Sequence, residues 1–369
     1  MIIKSIELKN FRNYEDLNIS FDAGTNILYG DNAQGKTNIL EAAYLSGTTK
    51  SHKGSKDKEM IKFDRQEAHI RTVVVKKQPG SNQEKEYQID MHLKNNRSKG
   101  IAINRVPIKK ASELFGILNM VFFSPEDLNI IKNGPAERRR FLDSELCQLD
   151  KIYLADLTNY NKILNQRNKL LKDMVYRPDL KDTLSVWDMQ LIETGKKIIR
   201  RRKQFIEELN EIVYQLHYKL SGEKEELLLS YEPNIEDIFF EDELSRAKVK
   251  DMKLCQTTVG PHRDDMLFSI KGVDIRKFGS QGQQRTSALS LKLSEIELVK
   301  QSIHETPILL LDDVLSELDS NRQNYLLNSI HETQTLITCT GLDEFVRNRF
   351  QLNKVFQVIN GEVFEKNGV

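Results

Sequence analysis

The run Gly30-Asp31-Asn32-Ala33-Gln34-Gly35-Lys36-Thr37 constrains this chain more than any other feature. It fits G-x-x-x-x-G-K-[ST] and stands where a short apolar segment, Asn26 to Tyr29, gives way to helical spacing at Ile39, Leu40, Ala43 and Tyr44. Glycines in such a loop let successive backbone N–H groups turn inward around a polyphosphate, and the helix that follows adds its positive end. Lys36 is expected to reach the outer phosphates and Thr37 to ligate Mg²⁺, with Gly30 through Asn38 as the binding segment. A strand feeding a helix through this loop predicts an α/β fold.

A phosphate loop alone leaves magnesium half-held and the attacking water unoriented. Ile308-Leu309-Leu310-Leu311-Asp312-Asp313 supplies what is missing: a buried strand ending in two carboxylates, Asp312 suited to Mg²⁺ and Asp313 to polarising the water. Between the two motifs lies Ser280-Gln281-Gly282-Gln283-Gln284-Arg285, followed by a helical pattern at Ala288, Leu289, Leu291, Leu293 and Ile296. A serine and a glycine with amides at a helix N-terminus make a second anion site. Because the chain's own phosphate loop already takes one nucleotide, Ser280, Gln281, Gly282 and Gln283 most naturally serve another. Ser316-Glu317-Leu318-Asp319 adds a polar turn beyond the carboxylates.

The 369 residues correspond to roughly two and a half domains. Period-two alternation (Ile2, Ile6, Leu8; Leu17, Ile19, Phe21) and a second such stretch from His69 to Ile103 predict a strand-rich lobe. Beyond Pro135, one helical stripe runs from Leu146 to Met174, interrupted at Arg167, and a second from Leu184 to Leu220. They predict an antiparallel pair of helices of about 30 residues, some 45 Å each. Residues 1–120 and 256–369 are thus expected to form the ATP-binding head, and 121–255 a helical lobe with a hairpin arm. The longest clean apolar run, Ile308 to Leu311, is far too short to span a bilayer, and Met1-Ile2-Ile3-Lys4 is followed by charges, so no membrane anchor or leader is expected. Cys147, Cys255 and Cys339 are odd in number and far apart, favouring a reducing cytoplasm over a disulfide framework.

A net charge of +1 conceals segregation: nine acidic residues face only Lys224 between Gly222 and Glu243, and six cations crowd Lys196 to Lys203. The acidic stretch is read as a solvated loop with a protein-docking face as the alternative. For Gly260-Pro261-His262-Arg263-Asp264-Asp265, a buried ion-pair turn and a nucleotide or DNA contact are equally open.

The order of phosphate loop, serine-glycine signature, Asp-Asp strand and Ser-x-Leu-Asp turn resembles the ATP-binding-cassette (ABC) ATPases. Within them it is similar to the chromosome-maintenance and repair branch, whose heads open with a strand like Ile6-Glu7-Leu8-Lys9-Asn10-Phe11-Arg12-Asn13-Tyr14. Pro125-Glu126-Asp127, Gly134-Pro135 with Arg138-Arg139-Arg140-Phe141-Leu142-Asp143, Gly260 to Asp265, and Leu315 to Asp319 with Arg322 and Leu326 resemble signatures of the RecF family of bacterial recombination mediators. The resemblance implies an ABC-type head with mixed sheets, an inserted helical lobe and a short helical arm. Two such heads would sandwich two ATP molecules, each held by one subunit's phosphate loop and capped by the other's Ser280 segment. It further implies Asn10, Arg12 and Glu126 as pocket residues, Glu126 near the metal, and an ATP-dependent homodimer on double-stranded and gapped DNA. RecR, with RecO, and indirectly RecA would be its partners. A clamp on duplex phosphates needs surface cations, for which Lys50, Lys53, Lys56 and Lys58, Arg138 to Arg140, and the basic run Lys196 to Lys203 with Arg200 and Arg201 are candidates. Asp313 in place of a glutamate, and Thr340 where a switch histidine is usual, predict slow, DNA-stimulated ATP hydrolysis; His331 is expected to be an exposed helix residue. A transporter's ATPase subunit, a chromosome-maintenance head with a long coiled coil and a non-hydrolysing nucleotide-switched scaffold are the rival readings.

Overall fold

The computed structural model describes residues 1–77, 83–329, 333–341 and 352–366; His331 lies outside the described residues. The chain divides into two compact units, one of Met1–Asp127 with Glu295–Val369, the other of Leu128–Ser294.

The first unit holds two sheets. Strands β1 (Ile2–Phe11), β2 (Tyr14–Ser20), β4 (Glu67–Lys77), β5 (Glu84–Lys94), β6 (Arg97–Ile103) and β7 (Val106–Pro107) form an antiparallel sheet in the order β2-β1-β4-β5-β6-β7. Ile3, Ile6 and Leu8 all face inward although Ile3 and Ile6 are three residues apart, because the β1–β4 register shifts between Ile3 and Ser5. The second sheet has the order β15-β14-β3-β13-β12-β8, made of β3 (Thr25–Tyr29), β8 (Met120–Phe123), β12 (Ile308–Asp312), β13 (Thr335–Cys339), β14 (Leu352–Ile359) and β15 (Glu362–Glu365). All neighbours in it run parallel except β15 on β14. Ile308 to Leu311 are wholly buried, as a parallel strand covered on both faces should be. Helix α1 (Lys36–Thr48) touches strands of both sheets, which explains why its burial runs all round rather than along one stripe. Short α9 (Ser320–Ser329) follows β12.

The second unit is mainly helical: α2 (Leu128–Lys132), α3 (Pro135–Leu149), α4 (Lys151–Asp173), α5 (Leu184–Leu220), α6 (Phe240–Leu254), α7 (Ile275–Phe278) and the start of α8 (Gln281–Ile303). Pairings of Arg167 with Asp188 and of Arg201 with Asp150 show α4 and α5 to be an antiparallel hairpin. The two arms are unequal, however. At 23 and 37 residues they measure about 35 and 55 Å. The stripe expected from Leu146 to Met174 breaks at Asp150, whose carboxylate accepts from the N–H groups of Ile152 and Tyr153 and caps α4. The acidic stretch is not a loop throughout: β9 (Leu227–Glu232) lies in it and pairs with β10 (Asp265–Ile270), which pairs with β11 (Val273–Asp274). Residues 256–294, grouped by sequence with the head, fall in this second unit.

Arg167, the polar interruption of the first stripe, is fully buried. Its Nε meets Asp188 Oδ1 and its Nη1 meets Asp251 Oδ2, both at 2.7 Å, and Asp251 is itself fully buried. Replacing Arg167 by leucine leaves that carboxylate without its cation, so unfolding of the variant by denaturant should be easier by roughly 3–5 kcal/mol, whereas truncating an exposed pair such as Arg177–Asp179 should leave the denaturation midpoint almost unchanged.

Candidate nucleotide site

Parallel pairing decides where the chemistry sits. The register sets Tyr29 beside Cys339, Thr338 beside Asp312 and Leu311 beside Phe123, so β3, β13, β12 and β8 all end at one edge. The loop before α1, the two carboxylates and the Pro125–Asp127 turn therefore share the edge where open α/β sheets bind ligands.

Gly30 and Gly35 have φ of 153° and 113°, and a Cβ at either would meet Val358 O at 2.3 Å or the Asn13 side chain at 2.4 Å. Only glycine allows this loop in this setting. Asp31, Asn32 and Ala33 form its exposed crest. Buried Lys36 points its ammonium back into the loop, donating to the carbonyls of Gly30 (2.5 Å) and Asp31 (2.8 Å). The first turn of α1 carries no acidic residue to oppose an anion.

Thr37 Oγ1 donates to Asp312 Oδ1 at 2.8 Å, and Thr338 Oγ1 donates to the same oxygen at 2.7 Å. Asp313, left-handed at φ 54°, donates its N–H to Thr338 Oγ1 at 3.0 Å. Thr338 thus fixes both carboxylate residues, a role no local pattern in the sequence announced. A hydroxyl and a carboxylate side by side are the hard oxygen donors that Mg²⁺ takes, so the residues present fit that ion. Glu126 is exposed in the turn after β8, and Thr340 is exposed in the bend after β13.

The loop is braced from outside. Asn13 Nδ2 donates to Gln34 O (2.9 Å), Asn38 Nδ2 donates to Asn13 Oδ1 (2.8 Å), and buried Tyr14 donates its hydroxyl to Gly35 O (3.0 Å). From the other side, the N–H groups of Asn360 and Gly361 donate to Gln34. Asn360-Gly361, the turn dipeptide of the β14–β15 hairpin, is the signal in the sequence that could have pointed to this second brace.

Arg12, expected at the nucleotide, uses its guanidinium within the chain instead. It grips both oxygens of fully buried Glu41 on α1 at 2.7 and 2.8 Å, and also donates to Glu59 O and Ser55 Oγ. Burial alone would push the Glu41 carboxyl up, but donors from Arg12 and Ser51 outweigh it and hold it below its usual value.

The signature segment, in the second unit, begins α8 with a reciprocal cap: Ser280 Oγ accepts the Gln283 N–H at 3.2 Å while Gln283 Oε1 accepts the Ser280 N–H at 2.8 Å. Ser280, Gln281 and Gly282 are exposed. A Cβ at Gly282 would meet nothing closer than Ser280 Oγ at 3.9 Å.

The cationic candidates for DNA differ in how the fold engages them. Arg138 is 2% exposed, clamped on Asp265 at 2.6 and 3.0 Å. Arg139 donates to Asp264 O, Arg140 pairs with Glu137, Arg200 with Asp237, and Arg201 with Asp150. Apart from Arg140, whose partner is three residues away, their side chains answer to carboxylates and carbonyls distant in sequence. In the Gly260–Asp265 segment the aspartates pair with arginines from other helices and, among the described residues, not with His262 or Arg263: Asp265 holds Arg138, fully buried Asp264 accepts from Arg202 and from the Tyr231 hydroxyl, and His262, paired with Tyr160, is pushed down to about 4 by burial. Lys50, Lys53, Lys56 and Lys58 differ. All four are exposed and enter no ion pair among the described residues, on a loop anchored by Lys99 through Thr49 O and Asp57.

These features define an ABC-type ATPase head carrying an inserted helical lobe with a hairpin arm. The chain belongs to the RecF/RecN/SMC family, whose N-terminal-domain model matches residues 2–363. It is 74% identical to the DNA replication and repair protein RecF of Agathobacter rectalis over 98% of this chain and 99% of that one, and 59% identical to the RecF of Lachnospira eligens over the full length of both. A solved structure described as the recombination mediator protein RecF-ATP in the RecFOR pathway superposes with a TM-score of 0.91 at 36% identity, covering 99% of this chain and 97% of that one. An Smc head bound to a domain of ScpA shares the fold at a TM-score of 0.56 and 17% identity, over 99% of this chain and 98% of that one. No helix among the described residues is long and apolar enough to cross a membrane.

The Arg12–Glu41 pair ties α1 to the β1–β2 turn. Glu41→Gln should cost roughly 3 kcal/mol at pH 7. Since the folded-state pKa of Glu41 is lowered, that contribution is complete above the ordinary glutamate value of about 4.3 and fades as pH falls through the folded value. Denaturant melts of the two proteins should therefore converge in acid.

Proposed function

We propose that this chain is an ATP-dependent DNA-binding repair protein of the RecF kind, which dimerises around ATP, holds duplex DNA near gaps and junctions, and hydrolyses ATP slowly. The observation that carries the proposal is Gly282. Gly282 is exposed in the first turn of α8, and among the described residues a Cβ there would meet only Ser280 Oγ at 3.9 Å, so the glycine leaves the N–H groups of that turn open to a close approach from outside. A ligand that approaches the N–H groups of α8 closely, an anion, is what such a surface admits.

In this reading Lys36 and Gly30 to Asn38 hold the phosphates, Thr37 and Asp312 hold Mg²⁺, and Asp313 orients water. Magnesium supplies charge neutralisation on the phosphate oxygens when bound. Ser280, Gln281, Gly282 and Gln283 of a second copy complete the pocket. A γ-phosphate bound by both copies makes association depend on ATP by linkage, and its removal withdraws the bond. The RecF names of similar chains support a repair setting with RecO and RecR as partners, RecA loading as the outcome and the cytoplasm as the place of action. The lysines after α1 are the favoured duplex contact, because all four are exposed, close together in sequence and in no ion pair among the described residues.

Lys36→Ala should abolish both turnover and ATP-induced dimers, whereas Asp313→Ala should lose turnover and keep the dimers. Sedimentation with and without ATP distinguishes the two, and dimers indifferent to nucleotide would refute the switch. For DNA, the triple exchange of Lys50, Lys53 and Lys56 to glutamate should lower the slope of log affinity against log salt by about 0.9 per lost phosphate contact. Arg138→Met should instead lower stability, since its guanidinium is internal.

A further inference from the structure

The signature serine is held from the arm. Gln283, whose Oε1 accepts the Ser280 N–H, donates its Nε2 to Glu225 Oε1 at 2.8 Å. Glu225 lies just beyond the C-terminus of α5, where Ser221 Oγ accepts its N–H at 3.1 Å. Its other oxygen, Oε2, faces the imidazole of His217 in the last turns of α5, 3.6 Å from Nε2. His217 is fully buried, and its Nδ1 lies 3.0 Å from Ser290 Oγ, two turns into α8. The Ser290 hydroxyl donates to Thr286 O, so Nδ1 is the donor to Ser290. Two contacts therefore run from one end of α5 onto α8, one at its cap and one two turns in.

A half-exposed glutamate on a loop and a fully buried histidine have no part in the phosphate chemistry assigned above. The glutamate's target is the amide that closes the cap of Ser280. Unbraced, the Gln283 side chain has three free torsions and would hold the Ser280 backbone only part of the time, because ordering such a chain costs entropy. Glu225 orders it in advance. We propose that Glu225 is a positioning residue for the nucleotide-capping signature, so that the ATP affinity of the dimer depends on the base of the helical arm.

This rests on the reading that Ser280 caps the nucleotide of a second copy, and the experiment separates the two. Full-length wild type, Glu225→Ala, Glu225→Gln and Ser280→Ala are compared by sedimentation across an ATP titration, and by binding of a fluorescent ATP analogue under dilute, monomeric conditions. Glu225→Ala should need at least fivefold more ATP for half-dimerisation with monomer binding unchanged. Glu225→Gln, which keeps a carbonyl for Gln283 Nε2, should stay within twofold of wild type, a rescue that a merely structural loop residue would not single out. If Ser280→Ala is impaired while Glu225→Ala matches wild type, the positioning role is wrong. If Ser280→Ala itself dimerises normally, the capping reading fails and takes this inference with it. Should Glu225→Ala not fold, Glu225→Ser carries the same two readouts.

Discussion

Thr37 and Asp312 are 275 positions apart in the chain and 2.8 Å apart in space. Everything else in the head serves that approach. It requires β3 and β12 to run parallel with β13 between them, since an antiparallel neighbour would send one of the two motifs to the opposite edge. It requires α1 to start at the sheet edge, which the left-handed turns at Gly30 and Gly35 permit. It also requires a hydroxyl between the two strand ends, and Thr338 provides it by bonding to Asp312 with its hydrogen and to the Asp313 N–H with a lone pair. A threonine in that position does for the Asp-Asp pair what the two glycines do for the phosphate loop.

Charge plays a different part in each unit. In the first, a single buried bidentate pair, Arg12 with Glu41, fastens the phosphate-loop helix to the opening hairpin, and the neighbouring lysines are left outward. In the second, arginines are the fasteners. Arg138, Arg167 and Arg202 are each essentially buried, and their partners Asp265, Asp251, Asp188, Asp143 and Asp264 come from helices and turns far apart in sequence. Guanidinium suits this work better than ammonium because it stays charged and offers a planar fork of donors. Such pairs add little net stability against apolar replacements, but removing one partner is costly, so they fix which segments meet.

That contrast explains what was legible in the sequence and what was not. The phosphate loop, the Asp-Asp strand and the signature were readable because each is a short run whose chemistry is set by neighbours in sequence. The alternation of buried residues in β1 was readable too, apart from a bulge that no residue type announced. The basic runs misled for a physical reason. On a helix, consecutive arginines point about 100° apart, so Arg200 faces solvent, Arg201 lies half-buried and Arg202 is inside, and the run as written is never one surface. The break at Asp150 was concealed because an N-cap aspartate between apolar residues at helical spacing leaves the periodicity intact. Residues 256–294 were grouped with the head because their motif belongs to nucleotide chemistry, whereas their packing follows β9, β10 and α5.

The two halves of the proposed site also differ in how tightly they are made. The phosphate loop is over-determined, with bonds from Asn13, Tyr14, Asn360 and Gly361 and close contacts that exclude any side chain at Gly30 or Gly35. The signature is lightly built: an exposed cap, one amide, one carboxylate behind it. For a linkage switch this asymmetry is the useful arrangement. Nucleotide bound by the rigid half gains nothing from dimerisation, and only the interaction made with the second copy shifts the equilibrium. A bond worth about 1.4 kcal/mol at each of two sites already changes association a hundredfold, so small changes in how Gln283 holds Ser280 are large changes in dimer population. Under the proposed function, slow hydrolysis would lengthen the time for which the two copies stay together, and control would pass from the rate of cleavage to the geometry of the cap.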